Sequence, residues 1–350
     1  MRLIGKHTFT LTSGGTANWQ LDREQTDETG GGSTLVRAIA SAKGATASFD
    51  LPGVPGKETV YYINASGPGF TDTQTVQVFS PNARSAFLYK SAGNPDVRVF
   101  ITVPASLNSA TRIVMVMAGQ QRDADAYLDS WIDWTKRSDY IAIAPDFDEQ
   151  HWPGSRAYML GNMFTGENGA GKINPESQWS FTVFEGIHQA VRSGFAIADP
   201  QYDMFGHSAG AQFVHRFLLF KPNAQVRYAL AANAGWYTVP DQNLPFSYGV
   251  KHPLLPITRR DLVEWTNKKL IILRGTADVN ADHNLRVTPE ANVQGKNRFE
   301  RAAYMLEKGR AANPATKWQL VDVPGADHDQ KKITPIAQEL LRRYNESLGN

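Results

Sequence analysis

The chain has 350 residues, of which 41% are hydrophobic and 20% charged; it carries a formal net charge of +2 and contains no cysteine. This length suits two domains better than one, and the near-neutral charge balance argues against a nucleic-acid partner. The lack of cysteine excludes disulfide bonds, a thiol nucleophile and a cysteine-ligated metal. No apolar run approaches the ~20 residues that cross a bilayer, and the first 30 residues contain no signal peptide. We expect a soluble protein, either secreted in mature form or cytoplasmic, without a membrane span and of an oligomeric state that the sequence leaves open.

The first part of the chain has the pattern of short β-strands. Val, Ile, Thr, Tyr and Phe are concentrated in runs that glycine and proline separate, and no helical periodicity is present. This pattern predicts a small Ig-like β-sandwich domain over residues 1–82. Its aromatic residues Trp19, Tyr61 and Tyr62 are expected to fill the sandwich core, with contact to a polymer as the alternative. The predicted strands span residues 6–11, 34–40, 45–51, 59–65 and 73–79.

From about residue 83 the pattern changes to strands that alternate with helices. Such alternation predicts a mostly parallel sheet of about eight strands with helices on both faces. We therefore expect a second domain over residues 83–350. The predicted strands span residues 86–90, 97–103, 112–117, 140–144, 202–205, 227–232, 268–273 and 317–323, and the predicted helices span 125–138, 181–196, 211–220 and 334–344.

One pentapeptide carries the strongest chemical signal. Residues 206–210 read GHSAG, a G-x-S-x-G motif between a predicted strand and a predicted helix. A sharp strand-to-helix turn leaves the serine exposed at the end of a sheet, and glycines on both sides relieve the close backbone contacts. Ser208 is therefore the candidate nucleophile.

Two further residues follow in an order that matches this motif. Asp278 and His328 each come after the C-terminal end of a predicted strand. A serine hydroxyl needs a base to take its proton, and a carboxylate orients the histidine that does so. The order Ser208, Asp278, His328 is that of an α/β-hydrolase catalytic triad. Asp282 is the alternative acid, because it lies four residues beyond Asp278.

These motifs give the chain from about residue 86 onwards a resemblance to the α/β-hydrolase fold. Within that fold it looks most like bacterial serine esterases and polyester depolymerases. The resemblance implies a serine carboxylic-ester hydrolase that forms an acyl-enzyme intermediate and needs no cofactor and no metal. It also implies a small-molecule or polymeric ester as the substrate, with polyesters and acylated polymers as candidates. It rests on residues 118–121 (AGQQ), 206–210, 275–278 and 325–328.

The tetrahedral intermediate of acyl transfer needs hydrogen-bond donors for its oxyanion. One donor is expected to be the backbone N–H of Ala209, directly after the nucleophile. The loop at 118–121 is expected to supply the other, from Gln120 or, as second choice, from Gln121. Related hydrolases often have a histidine and a glycine in this loop, and here only Gly119 matches.

Two long connections are expected to shape the substrate pocket. They span residues 146–179 and 234–261 and follow strand ends on the same side as Ser208, where open α/β sheets bind their ligands. Their aromatic residues suit an apolar acyl group. The candidate pocket residues are Trp152, Trp236 and Tyr237, together with His207 beside the nucleophile.

Two other functions stay open. The same three residues also cleave amides, so a serine peptidase or amidase of this fold is the first alternative. A surface or tail binding protein with a degenerate hydrolase domain is the second. The intact order of Ser208, Asp278 and His328 argues against the second, and labelling by a fluorophosphonate would distinguish it from an active enzyme.

Overall fold

The architecture consists of one large mixed sheet with helices and a set of smaller sheets formed by the N-terminal strands. A computed structural model describes residues 1–3, 5–11, 16–27, 32–53, 57–108 and 110–347. The strands are β1 (Arg2–Leu3), β2 (Gly5–Thr10), β3 (Ala17–Asp27), β4 (Ser33–Gly44), β5 (Thr46–Leu51), β6 (Lys57–Gly67), β7 (Phe70–Phe79), β8 (Ser85–Tyr89), β9 (Val97–Thr102), β10 (Arg112–Met117), β11 (Tyr140–Asp146), β12 (Tyr202–His207), β13 (Val226–Ala232), β14 (Leu270–Gly275) and β15 (Gln319–Val323). The helices are α1 (Ala124–Thr135), α2 (Gly154–Ala157), α3 (Ser180–Gly194), α4 (Ala209–Phe220), α5 (Arg259–Thr266), α6 (Pro289–Val293), α7 (Arg298–Ala312) and α8 (Gln330–Glu346), with short 3₁₀ turns at Glu167–Gly169 and Glu176–Gln178.

The large sheet has eight strands in the order β15-β14-β13-β12-β10-β11-β9-β8. The strands from β15 to β11 run parallel, whereas β9 is antiparallel to both of its neighbours. The prediction of a mostly parallel sheet of about eight strands is confirmed. In this order the strands that precede the candidate catalytic residues, β12, β14 and β15, all end at the same edge.

Two apolar clusters cover the two faces of the sheet. Side chains alternate between the faces along a strand, so Ile113, Met115 and Met117 of β10 join one cluster while Val114 and Val116 join the other. The first cluster contains buried side chains of α3, α4 and α7, and the second contains those of α1 and α8. Both faces of the sheet are therefore shielded from solvent, which explains why the parallel strands are continuous apolar runs in the sequence. None of the described helices is both long and apolar enough to cross a membrane.

The N-terminal strands form two further sheets around an apolar cluster of their own. A five-stranded sheet has the order β1-β7-β6-β3-β4, and β2 pairs with β5 in a second sheet. Except for β1 and β7, the pairs are antiparallel. Trp19 and Tyr61 are buried in this cluster. Tyr62 is half-buried on the opposite face of β6, outside the cluster, and its hydroxyl donates to Glu24 over 2.6 Å. Strand β3, which the sequence analysis did not identify, carries Trp19. The division into domains at residue 82 stays a prediction.

The N-terminal sheets contact the large sheet beside β8 and β9. Phe79 lies 6.1 Å from Phe87 and 5.4 Å from Phe195, measured between ring centroids. Arg98 pairs with Glu58 over 3.3 Å, and both side chains are largely buried. Arg98 is also in register with Asp146, the last residue of β11. The pair of Arg98 and Glu58 therefore lies near the edge where the parallel strands end, whereas Phe195 lies between the end of α3 and the start of β12, towards the opposite edge.

Candidate active site

Ser208 sits at the tight turn between β12 and α4. Its backbone has φ +57° and ψ −114°, a conformation that residues other than glycine rarely adopt. A Cβ atom at Gly206 would lie 2.3 Å from the carbonyl oxygen of Gly210, and one at Gly210 would lie 2.1 Å from that of Met117. Only glycine fits at these two positions. The motif thus builds the turn that presents Ser208 at the N-terminus of α4.

The three residues expected to form the catalytic triad lie in one hydrogen-bonded row. Ser208 Oγ is 3.0 Å from His328 Nε2, and His328 Nδ1 is 2.8 Å from Asp278 Oδ2. Asp278 is buried at 4% exposure, whereas 22% of the His328 side chain is exposed. A carboxylate only accepts hydrogen bonds, so Nδ1 carries the imidazole proton and Nε2 is free to accept from the serine hydroxyl.

Asp282, the alternative acid, lies against an arginine instead of against His328. The Arg298 guanidinium holds it through two hydrogen bonds of 2.8 and 2.9 Å. This pairing, against some desolvation, lowers the pKa of Asp282 to about 2. Arg298 is itself buried and also reaches Asp278 Oδ1 over 3.4 Å. The sequence analysis missed Arg298, which lies at the start of α7 and has no motif around it.

The loop after β10 approaches Ser208 closely. The Arg122 N–H donates to the Gly119 carbonyl over 3.2 Å and closes a turn. The N–H groups of the two central residues, Gln120 and Gln121, take no part in the hydrogen bond that closes this turn. A Cβ atom at Gly119 would lie 3.8 Å from that of Ser208. On the other side of the serine, Ala209 is the first residue of α4, so its N–H has no acceptor within the helix.

His207 lies behind His328 and is enclosed. Its Nδ1 is 2.9 Å from the Tyr127 hydroxyl, and its ring centroid is 4.7 Å from that of His328. Burial lowers the pKa of His207 well below its usual value and raises that of Tyr127. Tyr127 therefore donates to a neutral His207. The structure places His207 as a support for His328, and a contact between His207 and a substrate stays a prediction.

A buried arginine ties the loop after β10 to the connection after β11. The Arg122 guanidinium donates to the backbone carbonyls of three residues between 147 and 154 and pairs with Glu149 over 3.1 Å. It also stacks on Tyr158 at 3.9 Å, and the Tyr158 hydroxyl donates to the Ala118 carbonyl over 2.8 Å. The signal in the sequence was an arginine directly after the AGQQ stretch, and it was missed because its acceptors lie about 30 residues away.

The aromatic residues proposed for the pocket are enclosed. Trp152 is 1% exposed and packs edge-on against Phe147 at 5.1 Å. Trp236 and Tyr237 are 2% and 0% exposed. Tyr237 is held by its backbone, which exchanges hydrogen bonds of 2.8 and 2.7 Å with the Gln294 amide. The structure does not bring these three side chains to the solvent-facing surface around Ser208, and their contact with a substrate stays a prediction.

Comparison with known proteins gives no match to a family model and none to a curated protein. Two solved structures match over about three quarters of this chain. Poly(aspartic acid) hydrolase-1 from Sphingomonas sp. KT-1 is 35% identical with a TM-score of 0.71, over 75% of this chain and 99% of its own. The poly(3-hydroxybutyrate) depolymerase LpqC from Bordetella parapertussis is 30% identical with a TM-score of 0.69, over 74% of this chain and 90% of its own.

Both relatives are hydrolases, and each is covered almost completely by this chain. The strand order of the large sheet and the turn at Ser208 agree with that relationship. The chain therefore belongs to the α/β-hydrolase family, as a hydrolase of the esterase and depolymerase type.

Proposed function

We propose that the protein is a serine carboxylic-ester hydrolase with Ser208 as nucleophile, His328 as base and Asp278 as the acid that orients it. The observation that carries this proposal is the hydrogen-bonded row of the three side chains, with distances of 3.0 and 2.8 Å. His328 Nε2 takes the proton of Ser208 as Oγ attacks the ester carbonyl, and the buried Asp278 carboxylate stabilises the imidazolium that results. The same proton then passes to the leaving alcohol, and water hydrolyses the acyl-enzyme in a second round.

The oxyanion of the tetrahedral intermediate would be held by backbone N–H groups. We assign one donor to Ala209 at the N-terminus of α4, where the helix dipole also favours negative charge. We assign the other to Gln120, with Gln121 as second choice, because the turn that starts at Gly119 packs against Ser208. Removing one such donor from an enzyme of this kind costs about 10²–10³ in kcat.

The similarity to the two relatives supports a polymeric substrate for this protein, because their names give poly(aspartic acid) and poly(3-hydroxybutyrate). Repeat units of poly(aspartic acid) are joined by amide bonds, and those of poly(3-hydroxybutyrate) by ester bonds. Amide hydrolysis is therefore a second candidate activity. Its support is the 35% identity to the poly(aspartic acid) hydrolase.

A fluorophosphonate probe tests the nucleophile directly. We expect the full chain to be labelled and Ser208→Ala to be inert, while Ser193→Ala, an exposed serine on α3, labels like the native protein. p-Nitrophenyl esters and p-nitroanilides of the same acyl group then separate esterase from amidase activity. Near-native ester turnover by Ser208→Ala would refute the proposal.

We also propose that residues 1–82 form an accessory domain with a β-sandwich fold, which assists contact with a polymer rather than the chemistry. Its support is the separate apolar cluster of the N-terminal strands. The pair of Glu58 and Arg98, near the edge where the parallel strands end, supports a position of part of this region on the side of the sheet that holds Ser208.

A further inference from the structure

Three arginines near the proposed active site pair with no carboxylate of the residues that the structure describes. Arg216 and Arg301 are fully buried, and Arg286 is half-buried. Within the described part of the chain, every hydrogen-bond acceptor of these guanidinium groups is neutral. A buried cation without a counter-ion is costly. A fold that retains two such cations and a third, half-buried arginine in one place sets up a local positive potential.

The side chain of Trp236 joins two of these arginines. The Cζ atom of Arg216 lies 4.1 Å from the Trp236 ring, and that of Arg286 lies 4.5 Å from it. Arg216 is anchored by Thr238 over 2.7 Å and by Gln212 over 3.3 Å. Its Nη2 atom is buried and has no partner among the described residues. The indole of Trp236 therefore contacts both guanidinium groups, and it holds Arg286 in place next to a second positive charge.

Arg286 has an open edge. Its Nη1 donates to Asn168 Oδ1 over 3.2 Å and to the Tyr248 hydroxyl over 3.5 Å. Its Nε and Nη2 atoms, which together form the fork that matches a carboxylate, make no hydrogen bond among the described residues, and neither atom is fully buried. Arg301 fixes the position by donating to the Arg286 carbonyl over 2.8 Å.

This cluster lies on the same edge of the sheet as Ser208. Arg286 follows β14, Trp236 follows β13 and Asn168 follows β11, each after the C-terminal end of its strand. Gln212, which holds Arg216, is one helical turn from Ser208. Arg301 donates to the Gly235 carbonyl, and a Cβ atom at Gly235 would lie 3.2 Å from the Gln212 amide nitrogen, so the arginine cluster is connected to the first turn of the helix that follows Ser208.

We propose that Arg286, held against the Trp236 ring, binds a pendant carboxylate of a polymeric substrate a few repeat units away from the bond that is cleaved. The substrate is then a polyanionic chain with a carboxylate on each unit, in preference to a neutral polyester. This inference rests on the proposed hydrolase function. It adds that the substrate is negatively charged and that Arg286 binds that charge.

Two oligoesters differ only in the group that this site would recognise. Oligo(β-malic acid) and oligo(3-hydroxybutyrate) share one ester backbone, and the first carries a carboxylate where the second carries a methyl. We expect the native protein to favour the malic acid oligomer in kcat/KM. In Arg286→Gln the ratio of the two kcat/KM values should fall about 10–100-fold, the usual value of a hydrogen bond to a charged group.

Two control variants separate this effect from a general loss of charge or fold. Arg260→Gln removes one charge from an exposed arginine of α5 that pairs with Glu264, and it should leave the ratio unchanged. Arg286→Lys keeps the charge without the fork and should lie between native and Arg286→Gln. An equal change for both oligomers in Arg286→Gln, or no change, would overturn the proposal.

Binding measurements keep the test independent of catalysis. Calorimetry with Ser208→Ala and oligo(β-malic acid) should give a Kd that Arg286→Gln, added to the same variant, weakens about 10–100-fold. If the native protein hydrolyses neither oligomer and yet this difference is present, the proposed chemistry fails while the carboxylate site stands. If p-nitrophenyl esters are cleaved and the Kd values are equal, the site fails while the chemistry stands.

Discussion

The pair formed by Arg298 and Asp282 should set the pH range in which His328 acts as a base. Arg298 contacts the Asp278 carboxylate over 3.4 Å, and Asp278 contacts His328 over 2.8 Å. In Arg298→Gln the surroundings of His328 become more negative, which stabilises the imidazolium, so the acid limb of kcat/KM should move to higher pH. In Asp282→Asn the Arg298 charge is no longer balanced, so the limb should move to lower pH.

The expected size follows from the geometry. Two hydrogen bonds in series place the guanidinium roughly 7 Å from the imidazole, where an intermediate dielectric of about 40 gives about 1 kcal/mol, or somewhat under one pH unit. Asp282 is connected to His328 only through Arg298 and Asp278, and 35% of its side chain is exposed, so its removal should shift the limb by only a few tenths of a unit. The pH shifts of the acid limb expected for Arg298→Gln and Asp282→Asn thus differ in sign as well as in size.

The assay is kcat/KM for a soluble p-nitrophenyl ester from pH 5 to 9, with Arg298→Lys as the control that keeps the charge. Two neighbouring titratable groups should not contribute to the acid limb. Burial holds the pKa of His207 well below its usual value, and Asp327 is paired with Lys332 over 2.8 Å. Shifts of the same sign in both variants, or a lower kcat with an unmoved limb, would refute the electrostatic argument and leave Arg298 a purely structural role.

Three further predictions follow from the same geometry. Ser208→Ala, His328→Ala and the double variant should each lower kcat by about 10⁴-fold or more, with no additional loss in the double variant, since the two residues act as a unit; additive losses in single-turnover kinetics would contradict this. Burial raises the pKa of Asp146 to about 6, so the ionised carboxylate destabilises the folded protein above that pH and has no effect below the unfolded value of ~3.9. Asp146→Asn should therefore increase the free energy of unfolding by about 1–2 kcal/mol at pH 8, after allowance for solvent screening. At pH 4 the variant should unfold at the same denaturant concentration as the native protein. A protein that begins at Ala83 should melt at a lower temperature, because it loses the Phe79 and Glu58 contacts, yet keep its turnover of small esters; loss of that turnover in a folded sample would show that the N-terminal region builds the pocket.

The features that the sequence predicted are those with a local pattern. The parallel core followed from apolar runs of strand length between helical stretches, and the turn at Ser208 from two glycines at fixed spacing. Asp278 and His328 could be placed because each directly follows a strand end. Their hydrogen-bonded row with Ser208 is present in the structure, while the catalytic roles of the three residues stay predictions.

The features that the sequence did not predict depend on contacts between distant segments. Arg298 meets Asp278 across 20 residues, and Arg216 meets Trp236 from a different element. Arg298 has no neighbours in the sequence that set it apart from a surface residue, and Arg216 lies in an apolar run (residues 213–220) that indicates burial but not the partner. Trp152 shows a further limit of local patterns, since an aromatic residue in a long connection suggested a pocket wall, whereas the connection leaves only 1% of it exposed; its contact with a substrate stays a prediction.

The arginine that follows the AGQQ stretch makes two distant segments a single unit for protein engineering. Arg122 depends on acceptors between residues 147 and 154, and Tyr158 in turn depends on the Ala118 carbonyl. A chimera whose connection follows a different backbone course would leave the Arg122 guanidinium buried without these carbonyls, at the end of the loop that approaches Ser208. Libraries that recombine this enzyme with its relatives should therefore place no crossover between residues 118 and 158, so that both segments always come from the same parent.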